Sequence, residues 1–221
     1  MQQSGKRSYH HGDLRQALLD AALEIVSARG LSSLTLREVA RQAGVSHNAP
    51  YHHFADKAEL VVALTVDGFQ TLERALRSAY EQTEGTAMAR TLAIGGAYLR
   101  FALDNPAVFR LLFRPELRQS SRDGGGWDET VEHAADATVQ VLLRGIDAAQ
   151  QVGALRTETP VEILALTLWS TMHGLTVLLL DNLLVDKKSA VPDAAPSSEN
   201  AEQLMVQVMQ LVLQGLRHPS A

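Results

Sequence analysis

Residues 34–53 read LTLREVARQAGVSHNAPYHH. Thr35 and Glu38 have the Thr-x-x-Glu spacing of a capping box, in which a hydroxyl and a carboxylate satisfy free amides at a helix start. Leu36, Val39, Ala40 and Ala43 repeat at three- and four-residue steps, the period of a helix with one apolar face. Gly44 can take the positive φ that ends a helix and turns the chain sharply. Val45 follows as a residue to bury beneath the turn, and Ser46 as the N-cap of a further helix to about His53. Two short helices joined this tightly form a helix-turn-helix, whose second helix can enter the major groove of DNA.

That second helix offers His47, Asn48, Ala49, Tyr51, His52 and His53. Imidazole, carboxamide and phenol groups hydrogen-bond to base edges or phosphate oxygens, and a small methyl can meet a thymine. Lys57 follows at the next helix start, where its charge can meet a phosphate. Pro50 lacks the amide that would bond back toward Ser46, and its ring crowds the preceding turn. The second helix is therefore expected to be kinked or partly 3₁₀.

Helical spacing continues on both sides. Leu14, Leu18, Ala21, Ala22, Ile25 and Val26 form a first helix, with Asp13 as its expected N-cap and Gly30 closing it. Asp56 and Glu59 resemble a second capping box and open a long helix through Leu60, Leu64, Phe69, Leu72, Leu76 and Tyr80. Five more helices are expected at about 87–104, 106–115, 127–152, 160–184 and 199–217. Asn105-Pro106 marks one boundary, since the residue before a proline disfavours the α region. Gly124 to Gly126 read as a flexible loop, and the Ala-, Pro- and Ser-rich run 187–198 as a mobile one. No strand-like alternation of useful length and no internal repeat occur. The expected fold is all-α with about nine helices: a three-helix head over 1–60, with the motif at 34–53, and a larger body over 61–221.

Composition narrows the function. The chain has 221 residues, a formal net charge of -5 and no cysteine, so disulfides, thiolate metal sites and cysteine nucleophiles are excluded. Charge is uneven: residues 1–60 carry a net +1 and the remainder -6, and five of the eight histidines lie in the first sixty. Any nucleic-acid contact is thus expected in the head. The start at Met1 runs through Gln, Ser, Gly, Lys and Arg without an apolar stretch, so no secretory signal is read and a cytoplasmic protein is expected. From Ile163 to Leu180 no residue is charged, a length at the threshold for spanning a membrane. Polar residues within it, Glu162 and Asp181 at its ends, and the lack of a flanking Lys/Arg cluster favour a buried core helix over a span.

The stretch Leu34 to Ala40, then Ala43-Gly44-Val45-Ser46, resembles the DNA-binding domain of the TetR family of transcriptional regulators. Tyr51-His52-His53-Phe54 with Asp56-Lys57-Ala58-Glu59-Leu60 matches its next block, and Gly12 to Arg15, Ala22 and Gly30 fit its first helix. The resemblance covers about residues 10–60. It implies an all-α dimeric regulator of double-stranded operator DNA with a ligand-responsive body. It also implies base contacts from His47, Asn48 and Ala49, and backbone-phosphate contacts from Thr35, Tyr51, His53 and Lys57. Pro50 departs from the aliphatic residue many relatives carry. Lys6, Arg7, His10 and His11 form either a basic arm for the minor groove or a solvated tail.

In the body, Trp169, Met172 and His173 stand at i, i+3 and i+4, on one helix face. Trp169 to Gly174 resembles a Trp…His-Gly signature in the C-terminal domain of one TetR subgroup. Tyr98, Phe101, Phe109, Phe113 and Trp127 are the other large body aromatics. Aromatic walls with one polar handle suit a small hydrophobic ligand, neutral or cationic, because no Lys or Arg lies inside these apolar stretches. The same residues read equally as core. In the last helix Leu204, Val208, Leu211 and Val212, with Ala201, Met205 and Leu216, form a stripe for a partner helix. With the helix at 160–184 it could build a four-helix dimer interface, as in the family the head resembles.

The leading reading is a homodimeric repressor released from its operator by a small hydrophobic inducer. The alternative is an architectural or division-control DNA binder without an inducer. No nucleophile motif, phosphate loop or HExxH occurs, so no enzyme and no cofactor are expected. No metal site is expected either, since His52 and His53 diverge by about 100° on a helix.

Overall fold

The computed structural model describes residues 11–114, 128–184 and 198–216. Among these, eight α-helices and no strands occur: α1 (His11–Arg29), α2 (Leu36–Gln42), α3 (Lys57–Gln82), α4 (Ala87–Asp104), α5 (Pro106–Leu112), α6 (Glu129–Gln151), α7 (Val161–Leu180) and α8 (Ser198–Gly215). The ninth expected helix, 46–53, is instead a 3₁₀ turn over Ala49–His52. Trp127, the basic residues Lys6 and Arg7, and the glycine and Ala-Pro-Ser loops lie outside the described residues.

The helix ends follow local chemistry. Gly30 closes α1 at φ 77°, its amide reaching the Val26 carbonyl at 2.9 Å. Gly44 takes φ 68° after α2. The Thr35 hydroxyl accepts the Glu38 amide at 3.2 Å, while the Glu38 carboxylate turns to Arg41 and Arg29 instead of completing the box. Asp56 accepts the Glu59 amide, and Glu59 returns to the Ala55 amide. Asp13 is not a cap, because α1 already begins at His11.

Apolar residues gather into two clusters. One holds Leu18, Leu19, Ala22, Ile25, Leu34, Val39 and Phe54, with Leu60 and Leu64 from the start of α3 and Leu111 from α5. The other holds Phe69, Leu72 and Leu76 with the buried faces of α4 to α8. The 26-residue α3 therefore serves both cores. It packs along α6 and α4 and touches α1 and α5. Gly68 lets α3 close on α5: a Cβ there would stand 2.8 Å from Val108 Cγ1 and 2.9 Å from Leu112 Cδ2.

The apolar helix α7 is only partly a core helix. Leu164, Ala165, Leu168, Met172, Thr176 and Leu179 are buried, whereas Ile163, Leu166, Trp169 and Leu178 are exposed. It is the one helix among the described residues long and apolar enough to cross a membrane. In α8 the inward stripe is Ala201, Met205, Met209 and Leu213, not the full set read from sequence. Leu204, Val208 and Val212 are half-buried and Leu211 is exposed.

Candidate nucleic-acid interface and body cluster

Pro50 sets the geometry of the reading turn. With no amide at position 50, the Ser46 carbonyl accepts the Ala49 amide at 2.9 Å, and Tyr51 bonds back to Asn48 at 3.2 Å in the 3₁₀ pattern. The N-cap is Asn48, two residues beyond the expected Ser46, and its side chain makes no capping bond. Pro50 and Phe54 are buried, and Phe54 anchors the turn in the head core. Phe54 is stacked on its far side by Arg15, whose guanidinium lies 5.5 Å from the ring centre.

This leaves one polar surface. His47, Asn48, Tyr51 and His52 are exposed, and Ala49 and His53 are half-buried. His47 and Tyr51 rings meet edge to face at 6.5 Å, so they present as a pair. The carboxamide of Asn48 is not spent on capping. Thr35 is exposed at the start of α2, which packs on the turn. Thus the structure brings the expected contact residues of the turn onto one segment.

Lys57 also has a partner inside the protein. Its ammonium donates to the Leu31 carbonyl at 2.9 Å and is part-buried, tying the start of α3 to the loop after α1. Sequence reasoning offered no sign of this, since the partner is a backbone atom 26 residues away. Arg37, to which the sequence motif gives no contact role, is exposed in the first turn of α2. Arg41 is exposed too, but it is paired to Glu38 at 2.7 Å, with Arg29 on the same oxygen at 3.0 Å. The two guanidiniums, Arg41 foremost, hold the Glu38 carboxyl below its ordinary value.

In the body, α4, α5 and α7 bring most of the expected aromatics together around His173. The Tyr98 hydroxyl and His173 Nδ1 are 2.8 Å apart. Phe109 stacks on the imidazole at 5.6 Å, Phe113 meets it edge-on at 4.6 Å, and Trp169 lies at 5.9 Å. Met172 is buried beside them on α7. Phe101 is buried in the same core but makes no ring pair within this cluster. Burial drives the Tyr98 phenol well above its ordinary value, and a hydrogen bond from the Trp169 indole works the other way. Burial pushes the His173 imidazole below 6.5. Burial thus favours the uncharged form of both groups.

Two grooves occur among the described residues: one of about 800 Å³ between α1 and α5, bordered by Leu23, Gly30, Asn105, Pro106 and Leu111, and a smaller one of about 370 Å³ between α3, α4 and α8. Both are open to solvent, and neither touches His173. No group of three or more His, Asp or Glu able to hold a metal occurs among the described residues.

Comparison with known proteins covers both halves. Residues 18–64 match the family model for bacterial regulatory proteins of the tetR family. Residues 91–200 match a tetracyclin repressor-like C-terminal domain. The chain is 27% identical over 161 residues to an uncharacterized HTH-type transcriptional regulator of Haemophilus influenzae, covering 72% of this chain and 78% of that one. A Rhodococcus protein of unknown function is 30% identical in sequence, with a TM-score of 0.79 over 96% of this chain and all of the other. The fatty acid degradation regulator FadR of Bacillus halodurans shares the fold at 17% identity, with a TM-score of 0.71 over 95% of this chain and 100% of its own.

Proposed function

The chain belongs to the tetR family of bacterial transcriptional regulators, and from that premise we propose that it is a homodimeric repressor that leaves a pseudo-palindromic operator when a small hydrophobic molecule binds its body. The observation that carries this reading is the exposed surface of the 47–53 turn, where His47, Asn48 and Tyr51 keep unspent hydrogen-bonding groups on a buried Pro50 and Phe54. Residues 1–60 act as the reading head and residues 61–221 as the ligand-binding and dimerising body. Asn48, His47 and Ala49 face bases, and Thr35, Tyr51, His53, Lys57 and Arg37 meet the backbone.

Dimerisation is supported by the apolar residues left uncovered on α7 and α8. Ile163, Leu166 and Leu178 on one, and Leu211 on the other, are exposed on helices packed against each other. With Leu204, Val208 and Val212 they suit a two-fold four-helix contact. A dimer reads two half-sites at once, so a short head gains specificity. The Tyr98–His173 cluster is the ligand site, with Trp169, Phe113, Phe109, Phe101 and Met172 as its apolar walls. A cytoplasmic location accords with this role. One observation favours a DNA binder without an inducer: neither groove among the described residues reaches the cluster.

Genomic fragments captured by the purified chain, followed by anisotropy titration of the enriched DNA against a small-molecule panel, test the proposal. Saturable binding to an inverted repeat, lost with at least one compound, supports it. Binding that no compound changes sinks the inducer and leaves the DNA binder.

A further inference from the structure

The head is short of permanent positive charge. Residues 11–60 carry five Lys or Arg and six Asp or Glu, a net of -1 with histidine neutral. Arg29 and Arg41 share the Glu38 carboxylate, and Lys57 is tied to the Leu31 carbonyl. Arg15 lies over the Phe54 ring, which leaves Arg37, exposed on α2. A DNA duplex carries about one negative charge per 1.7 Å of its axis, and neutralising that charge supplies a large share of a protein's affinity for it. A head of this composition gains little from that source unless charge is added.

Histidine can add it. Three of the seven residues from 47 to 53 are histidine. His47 and His52 are exposed and His53 is half-buried, on the turn that keeps its polar groups outward. Imidazole is the side chain whose ordinary titration falls between pH 5 and 8. With these three charged, the net charge over residues 11–60 becomes +2.

The described carboxylates around the turn are engaged elsewhere. On α2, Glu38 is held by Arg41 and Arg29 at 2.7 and 3.0 Å, and Arg37 is itself a cation. On α1, Asp20 accepts from Gln16 and Glu24 from Gln42, while Arg15 stands at the Phe54 ring that His53 adjoins. At the start of α3, Asp56 accepts the Glu59 amide and Glu59 the Ala55 amide, with Lys57 between them. Among the described residues no ion pair joins a carboxylate to any of the three imidazoles. A phosphate brought to the turn is therefore the anion they meet.

An anion within a few ångströms favours the charged imidazole. A group that holds its proton more tightly in a complex than in the free chain strengthens that complex as pH falls, and the gain is lost as pH rises. Resting on the reading of the 47–53 turn as the DNA-contacting surface, we propose that operator binding takes up protons: His47, His52 and His53 become imidazolium in the field of the phosphate backbone, and the chain holds its DNA more tightly as pH falls from 7.5 to 6. The reading head thus responds to acidification on its own, whatever occupies the body.

The test uses the full chain, the duplex it enriches from a random library, and a mixed-sequence duplex of the same length. Anisotropy titrations are run at pH 7.5 and 6 at fixed ionic strength. Wild type is expected to bind both duplexes at least about tenfold more tightly at pH 6, from about threefold for each imidazole. Its salt dependence at pH 6 should be steeper by about one for each imidazole charged. Calorimetry in two buffers of different ionisation heat counts the protons taken up. The triple variant His47→Gln, His52→Gln, His53→Gln keeps polar side chains and is expected to lose the gain, the added salt slope and the proton uptake together. His52→Gln alone, at an exposed position, should lose about a threefold share of the gain. Wild-type affinity for the enriched duplex that is equal at the two pH values overturns the proton linkage and leaves the regulator. A triple variant, or a His52→Gln chain, that keeps the full gain overturns the role of these histidines. A chain that binds neither duplex at either pH overturns the regulator reading, and the linkage with it.

Discussion

Asn48 and Lys57 were both expected at DNA from the sequence, yet their surroundings give them different work. The Asn48 carboxamide is exposed and uncommitted, so Asn48→Ala should leave the melting temperature unchanged and blur discrimination at particular base pairs by about 1–3 kcal/mol. Equal losses on cognate and scrambled DNA would refute that role. The Lys57 ammonium is already tied to the Leu31 carbonyl. Lys57→Ala should therefore weaken all DNA alike, reduce the salt slope by about one, and also destabilise the head by about 1–3 kcal/mol. His173 offers a pH test. Its native imidazole binds a proton less readily than the unfolded chain does, so its contribution is present above 6.5 and is lost as pH falls below that value. Melting temperature measured from pH 7.5 down to 5 should fall more steeply for wild type than for His173→Phe; parallel slopes would contradict the burial argument.

At the scale of elements, the sequence located the helices well because their signals are local. Gly30, Gly44, Thr35 and Asp56 mark ends that a few residues determine, and the structure puts turns or caps at each. What local signals could not fix was the split of apolar residues between core and surface. Leu204 and Met205 read alike in sequence, yet Met205 is buried and Leu204 is half-buried, because α4 and α7 cover only one side of α8. Pro50 was legible as a disturbance, and the resulting 3₁₀ turn explains the N-cap at Asn48 instead of Ser46. Restoring an amide there should let the turn widen into an α-helix, rotating His47 and Asn48 relative to Tyr51, since a 3₁₀ step turns the chain by about 120° and an α step by about 100°. Pro50→Ala should thus keep the helical circular dichroism and shift the preferred half-site. An unchanged preference would show that the bend does not set the reading geometry.

For the whole molecule, the question is how head and body communicate and whether two copies act together. The long α3 lies in both apolar cores, and Leu111 of α5 reaches into the head cluster, so a change at Phe109 or Phe113 has a short mechanical route to the head. A ligand shifts the operator equilibrium only as far as it favours one arrangement of the heads over the other. The family resemblance was legible in the head motif, and the aromatic cluster in the spacing of Trp169 and His173. The hydroxyl of Thr176, buried without a hydrogen-bond partner among the described residues, was not, because that is a property of packing. Replacing Leu204 and Val208 together by Glu should give monomers or insoluble chain, through charge buried at the α7–α8 face. A soluble dimer with normal operator affinity would remove that interface from the account. The most direct measurement of the central claim is selection of bound duplexes by the full chain from a random double-stranded library. An enriched inverted repeat, with half-sites one helical turn or a multiple apart and two chains per duplex, is the predicted result. Enrichment of a single unrepeated site, or of none, would contradict it.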